Sequence, residues 1–140
     1  MLFRSNVLRA ADLVLVPLIP TTLSLRTLDQ LSEFVDDQNG PRPQVTGFFS
    51  MIDRRRKLHR EVAATLPTQR GDIIAEGIPA LSIVEQMAAR REPVMAFAPQ
   101  SVAARSYRAL WDRTLGNRAQ DGRAQGDRGS AALAAQSMPS

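Results

Sequence analysis

Cysteine is absent from the 140-residue chain, which excludes disulfides, thiol nucleophiles, Cys-ligated zinc and iron–sulfur clusters. Histidine occurs once, at His59, so no site with two histidine ligands can be built. Lysine also occurs once, at Lys57, and it follows Arg56 rather than glycine. A Walker A loop needs Gly-Lys before Ser or Thr to hold phosphates, so this chain carries none. Long apolar runs are missing as well. The longest covers residues 13–20, which is strand length and far below the ~20 residues that cross a bilayer. Residues 1–11 hold two arginines and too short an apolar stretch for a secretory signal, so the sequence predicts a cytoplasmic protein.

What is present is arginine and aliphatic residues. The net charge is +4, almost all of the positive charge is arginine, and 44% of the residues are hydrophobic. Arginine favours planar, bidentate contacts to anions. A mild basic excess permits an anionic partner without specifying one. Composition divides the chain in two. Residues 1–115 alternate apolar and polar segments and can bury a core. Residues 116–140 hold Gly, Ala, Gln, Ser and Arg with no aromatic. Such a segment buries too little to offset its ordering entropy, so it is predicted to be a disordered tail.

Within the body, residues 13–19 form a continuous aliphatic run, the pattern of a parallel strand buried on both faces. Pro17 and Pro20 place the end of its pairing nearby. Leu25, Leu28, Leu31 and Val35 recur at helical spacing, predicting a helix over 22–38. Thr21 or Thr22 would cap it, and Asn39-Gly40-Pro41 would stop it. A second strand is predicted over 45–52, a helix over 54–66, and a third strand over 73–78. A helix over 81–90 and a short extended piece over 93–97 follow. The last helix carries Ala103, Tyr107, Leu110, Trp111 and Leu115 on one face, with Ser101 as its N-cap. Tyr107 and Trp111, four residues apart, are both expected to bury against the sheet. This alternation predicts an α/β fold with a parallel sheet and flanking helices. Ligands of such sheets bind at the carboxyl ends of the strands, here residues 17–22, 51–55 and 78–81.

Four blocks in fixed order carry a resemblance. They are AADLVLVPLIPTTLSLRTLDQL, GFFSMIDRRRKLHREV, the Ile78-Pro79 pair followed after 13 residues by Pro93, and APQSVAARSYRAL. Together they resemble the C-terminal half of ParA/MinD-type partition ATPases, over about residues 5–115. Asp53, Arg55, Leu58, Glu61 and Val62 match the family form of the second block in order. The resemblance implies part of a deviant-Walker P-loop NTPase fold. In that family the phosphate loop, the water-positioning aspartate and the Walker B turn lie upstream of the AAD strand. It therefore implies a piece of an ATPase that, alone, hydrolyses no ATP. ATP and magnesium are the family's cofactors, and neither is expected to bind this chain tightly by itself. Phosphoryl transfer is positioning and electrostatics, and that apparatus is not in these residues.

The resemblance assigns adenine-side contacts to Met51, Ile52 and Asp53 and to the Ile78-Pro79 turn. Apolar groups such as Met51 and Pro79 suit a flat base, and a polar strand-end residue suits its edge. A plainer reading of Asp53 is as a helix cap. Arg54, Arg55, Arg56, Lys57 and Arg60 are the densest positive charge in the chain. They read equally as a surface for DNA phosphates or a partner and as a solvated helix face. Placed in a helix's first turn, these cations would oppose its dipole. DNA-binding members of the family carry arginines just after the Ile-Pro turn, where this chain has Ala80 and Ile83. That departure argues against nonspecific DNA binding by the usual surface, although Arg90 and Arg91 lie on the same helix. Retained DNA binding would place the protein on the nucleoid. His59 is expected to pack or hydrogen-bond rather than catalyse.

The partners implied by the resemblance are a second ParA-like subunit and a ParB-like protein. Membrane attachment of the MinD kind is not expected, because residues 130–138 hold only Leu133 and Met138 as large apolar groups and have no basic face. An alternative from another class stays open: a free-standing, non-catalytic interaction module that binds a partner protein or DNA. A relative of the cobyrinate-amidating or nitrogenase-reductase ATPases is a weaker third.

Overall fold

The structure is a computed structural model that describes residues 2–40 and 42–135, with side chains described for 6–40 and 42–120. Nine elements follow one another among these residues. They are α1 (Leu2–Ala10), β1 (Leu13–Leu18), α2 (Thr22–Asp36), β2 (Gln44–Phe49), α3 (Lys57–Gln69), β3 (Ile73–Ile74), α4 (Ser82–Arg90), α5 (Val94–Phe97) and α6 (Val102–Ala135). The strands form a parallel sheet in the order β1-β2-β3. The chain is thus α/β, with a small three-stranded parallel sheet flanked by helices.

Two crossovers in one direction put α2 and α3 on the same face, as a constant crossover hand requires. Leu25 and Leu28 of α2 and Val62, Ala63 and Leu66 of α3 pack there on Val16, Leu18, Phe49 and Ile73. Leu15, Phe48 and Ile74 point to the opposite face, where Val84 of α4 and Tyr107 and Leu110 of α6 cover them. A third cluster locks α5 to the start of α6 through Val94, Ala103 and Ala104. Side chains alternate across the sheet, so each strand feeds both layers. Gly47 lets the first layer close, because a Cβ there would meet Leu18 Cδ1 at 2.8 Å and Leu28 Cδ2 at 3.1 Å.

β1 departs from its expected setting. It is parallel, but it is an edge strand, and of its residues only Leu18 is fully buried. Its even-numbered residues face β2: Asp12 C=O accepts from Gln44 N–H and Leu18 C=O from Ser50 N–H. Alternation turns the backbone groups of Leu13, Leu15 and Pro17 outward. Pro17 therefore sits inside the strand, paired in register with Phe48, because its missing N–H falls on the open side.

Thr21 is the N-cap of α2, its hydroxyl accepting the N–H of Ser24 at 3.3 Å. Pro41, read as part of the stop of that helix, lies outside the described residues. α3 starts three residues later than predicted, so Arg54, Arg55 and Arg56 precede the helix. β3 keeps only two of the six predicted residues, and the chain meets the sheet again as a single Ile52–Pro79 bridge. The piece after Pro93 is a helical turn rather than extended, because burying Val94 against Ala103 and Ala104 outweighs the local preference. Ser101 caps α6, its hydroxyl accepting the N–H of Ala104 at 3.1 Å. Composition puts a boundary at residue 115 and disorder beyond it, whereas α6 continues to Ala135. Extending a formed helix costs far less than nucleating one. Residues 136–140, Met138 among them, lie outside the described residues.

Candidate functional site

At its carboxyl end β2 turns sharply. Met51 adopts a left-handed backbone with φ +53°, a conformation uncommon for a side chain with Cβ. This swings Met51 outward, where it is 52% exposed, and returns Ile52 to the sheet. Ile52 N–H donates to Ile78 C=O at 3.1 Å, and Ala80 N–H donates to Ile52 C=O at 3.0 Å. Ile78 N–H donates to Phe49 C=O at 2.8 Å. Gly77 makes this approach possible, since a Cβ there would collide with Ile52 Cδ1 and reach Phe49 C=O at 3.1 Å.

The structure therefore brings Met51, Ile52, Asp53, Ile78 and Pro79 together at one strand end. Their side chains are not equally available. Ile78 and Pro79 are buried, Ile52 and Asp53 are half-buried, and Met51 is exposed. Pro79 thus does not present its ring as one wall of a base slot. Its contribution is the backbone that pairs with Ile52. Met51, Asp53 and Ala80 are the parts of this strand end that solvent reaches.

Asp53 is held from three directions. Its carboxylate Oδ1 accepts the N–H of Arg55 at 2.9 Å, and its C=O accepts the N–H of Arg56 at 3.1 Å. Its own N–H donates to His59 Nδ1 at 3.2 Å. Asp53 closes the turn before α3 and does not cap the helix. Arg56 occupies the N-cap position and makes no side-chain cap bond. His59 is buried at 3% exposure, and its Nε2 has no hydrogen-bond partner. It packs and orients, as expected from the sequence.

Arg54, Arg55, Arg56, Lys57 and Arg60 are all exposed around this turn. Arg60 donates to Arg54 C=O at 2.6 Å, and Lys57 lies 3.6 Å from Glu61. Lys57 and Arg60 belong to the first turn of α3 and Arg56 is its N-cap, so these cations stand at the positive end of the helix dipole. Arg90 and Arg91 lie at the C-terminal end of α4, roughly 12 Å along its axis from Ser82 at its start. Arg90 stacks 4.7 Å over the Phe97 ring, and Arg91 ends the helix in a left-handed conformation. No described contact joins them to the Arg54–Arg60 group. Ala80 is exposed, and Ile83 packs into the third cluster.

Two features escaped the sequence reading. Arg70 bridges Asp29 of α2 at 2.6 Å and Asp72 at 2.7 Å, across 41 residues of chain in the first case. The Arg70 guanidinium holds the Asp72 carboxyl below the ordinary carboxylate range, against a smaller opposing effect of burial. The second is a cleft of about 400 Å³ between β1 and α6, lined by Leu13, Leu15, Trp111 and Leu115 among others. Trp111, expected in the core, is 56% exposed there. Tyr107 does pack on the sheet, and burial pushes its phenol up. The i, i+4 spacing placed both rings on one stripe, but α6 overhangs the sheet edge at Trp111.

Among the described residues, no three acidic or histidine side chains converge to hold a metal. Among the described residues no helix is long and apolar enough to cross a membrane. No protein-family model matches the chain, and no curated protein matches it.

Proposed function

We propose that this chain supplies the adenine-side and partner surface of a ParA-like partition ATPase, and is not itself catalytic. The observation that carries the reading is the parallel Ile52–Pro79 bridge. It brings the Met51–Asp53 turn beside the Ile78–Ala80 segment at the carboxyl ends of the strands, where α/β sheets take ligands. The order and spacing of the four sequence blocks support the same reading. In this proposal Met51 covers one face of the base, and Asp53 with the Ala80 edge reads its rim. Arg54, Arg55, Arg56, Lys57 and Arg60 form the adjacent surface for an anionic partner. A second ParA-like subunit and a ParB-like protein are the proposed partners of the whole assembly.

The test is an NMR titration of the 15N-labelled chain with ATP and, separately, adenosine. Both should shift the amides of Met51–Asp53 and Ala80, with weak, millimolar-order affinity because no phosphate cradle contributes. Shifts confined to other residues, or none at saturating ATP, overturn the proposal.

One observation favours the second reading, a free-standing interaction module. The outer edge of β1 has no described strand beside it, and such edges are templates for pairing with another chain.

A further inference from the structure

We propose that copies of this chain join head to tail, the acidic end of α2 in one copy seating on the Arg54–Arg60 cluster of the next. The inference names the anionic partner of that cluster and rests on that part of the proposed function alone, since it needs no nucleotide. Residues 54–60 hold Arg54, Arg55, Arg56, Lys57 and Arg60 and no anion, whereas residues 29–37 hold Asp29, Glu33, Asp36 and Asp37 and no cation. α2 and α3 each link two parallel strands, so both run from the carboxyl ends of the sheet to its amino ends. The basic run lies at the start of α3 and the acidic run towards the end of α2. One helix layer therefore carries positive charge at the carboxyl end of the sheet and negative charge at the amino end.

Three observations point to a second copy as the occupant. First, each cluster has the wrong sign for the helix end it occupies. Helices favour anions at the N-terminus and cations at the C-terminus. α3 has no acidic residue in its first turn and an arginine as N-cap, while α2 has no basic residue in its last turn and Asp37 as C-cap. Each end lacks what the other supplies, and a head-to-tail contact relieves both at once. Nucleic acid would relieve the basic end and leave the acidic one as it is. Second, both ends are accessible. Arg54, Arg55, Arg56, Glu33, Asp36 and Asp37 are exposed, and the one ion pair among them in the described residues is a 3.9 Å contact of Asp36 with Arg42. Third, each charged end has an apolar group beside it, Phe34 (43% exposed) in the last turn of α2 and Leu58 (54% exposed) in the first turn of α3. Solvated charge pairs contribute little by themselves, and such groups give the contact an area to bury. Neither cluster lies on the open edge of β1. Strands added there extend the sheet and not the ends of α2 and α3. The contact is heterologous, so each pair keeps one basic and one acidic end, and the contact can repeat.

The experiment is sedimentation velocity of the full chain over a concentration series at low and high salt. The wild-type mass should rise with concentration at low salt and return to that of the monomer at high salt, where charge steering and pairing are screened. Arg55→Glu with Arg56→Glu, and separately Asp36→Arg with Asp37→Arg, should each raise the apparent Kd at least roughly tenfold. Mixed in equal amounts, the two variants should associate again, because one then has two acidic ends and the other two basic ends. All four positions are exposed, and urea unfolding of each variant checks that it is folded. The salt dependence of the wild-type chain tests the contact without any variant. A wild-type chain that stays monomeric at low salt overturns the proposal. So does association that high salt leaves intact, that only one of the two charge reversals weakens, or that the mixture of folded variants fails to restore. Binding of duplex DNA or polyglutamate by a wild-type chain that remains monomeric assigns the basic end to another polyanion and overturns the self-association. The ATP titration reads the Met51–Asp53 and Ala80 amides of the monomer at high salt, so the nucleotide reading and this one can fail separately.

Discussion

The ring of His59 accepts the backbone N–H of Asp53 through Nδ1 at 3.2 Å, and it does so at 3% exposure. That one bond ties the first turn of α3 to the turn that follows β2.

His59→Ala should lower stability by about 2–4 kcal/mol, from a cavity plus a stranded Asp53 N–H. Urea unfolding measures the loss. The Met51–Arg56 amides should also lose hydrogen-exchange protection before the rest of the sheet. A variant with wild-type stability would show that the turn holds without the ring.

Gly77→Ala should be more damaging than Gly47→Ala. A Cβ at Gly77 meets the Phe49 carbonyl at 3.1 Å as well as Ile52, and a backbone oxygen cannot step aside. At Gly47 the neighbours are ends of leucine side chains. Overpacking of this kind costs about 1–3 kcal/mol. Thermal unfolding of the two variants gives the order, and NMR should show the Ile52–Pro79 bridge disturbed only in Gly77→Ala.

Acid should weaken the fold through Asp72. Its folded-state carboxyl lies below the ordinary value of 3.8, chiefly because Arg70 donates to it. The ion pair's contribution is therefore complete above the unfolded-state value. It is lost as pH falls from there through the lower folded-state value. Asp72→Asn should be less stable than wild type near neutrality and should converge with it in acid. Urea midpoints across that range measure the difference, and parallel curves would remove Asp72 from the account.

Binding to duplex DNA, where it occurs, should be weak and shallow in its salt dependence. Five exposed cations bound the number of phosphates that this turn can neutralise. The double change Arg55→Ala with Arg56→Ala should lower the slope of log K against log salt by about 2. Fluorescence anisotropy at several salt concentrations reads this. An unchanged slope would move the contact elsewhere.

Thr21→Ala should cost about 1 kcal/mol, because the Ser24 N–H loses its cap. Thr21→Ser should restore it. The comparison separates the hydroxyl's role from the loss of a methyl group.

Much of the strand-end region was legible in the chain itself. The aliphatic run at residues 13–19, the stripe of Leu25, Leu28 and Val35, and Ser101 before the last helix are local signals, and each lies where periodicity and capping put it. The Ile52–Pro79 meeting was legible only as far as a parallel sheet gathers its strand ends. The start of α3 was not, because arginine side chains suit a helix and a turn alike. Asp53 and His59 settled that boundary by bonding six residues apart.

The sequence by itself determined the order of the three strands and of the helices that follow each of them, the α/β class and the lack of a phosphate loop, because these follow from nearest-neighbour periodicity and residue inventory. Only the tertiary structure decided that β1 is an edge, that Trp111 overhangs it, and that Arg70 gathers Asp29 and Asp72. Periodicity says which face of an element is apolar. Which faces find a cover, and which charges meet, depends on contacts between residues far apart in the chain, and those exist only once the sheet has formed.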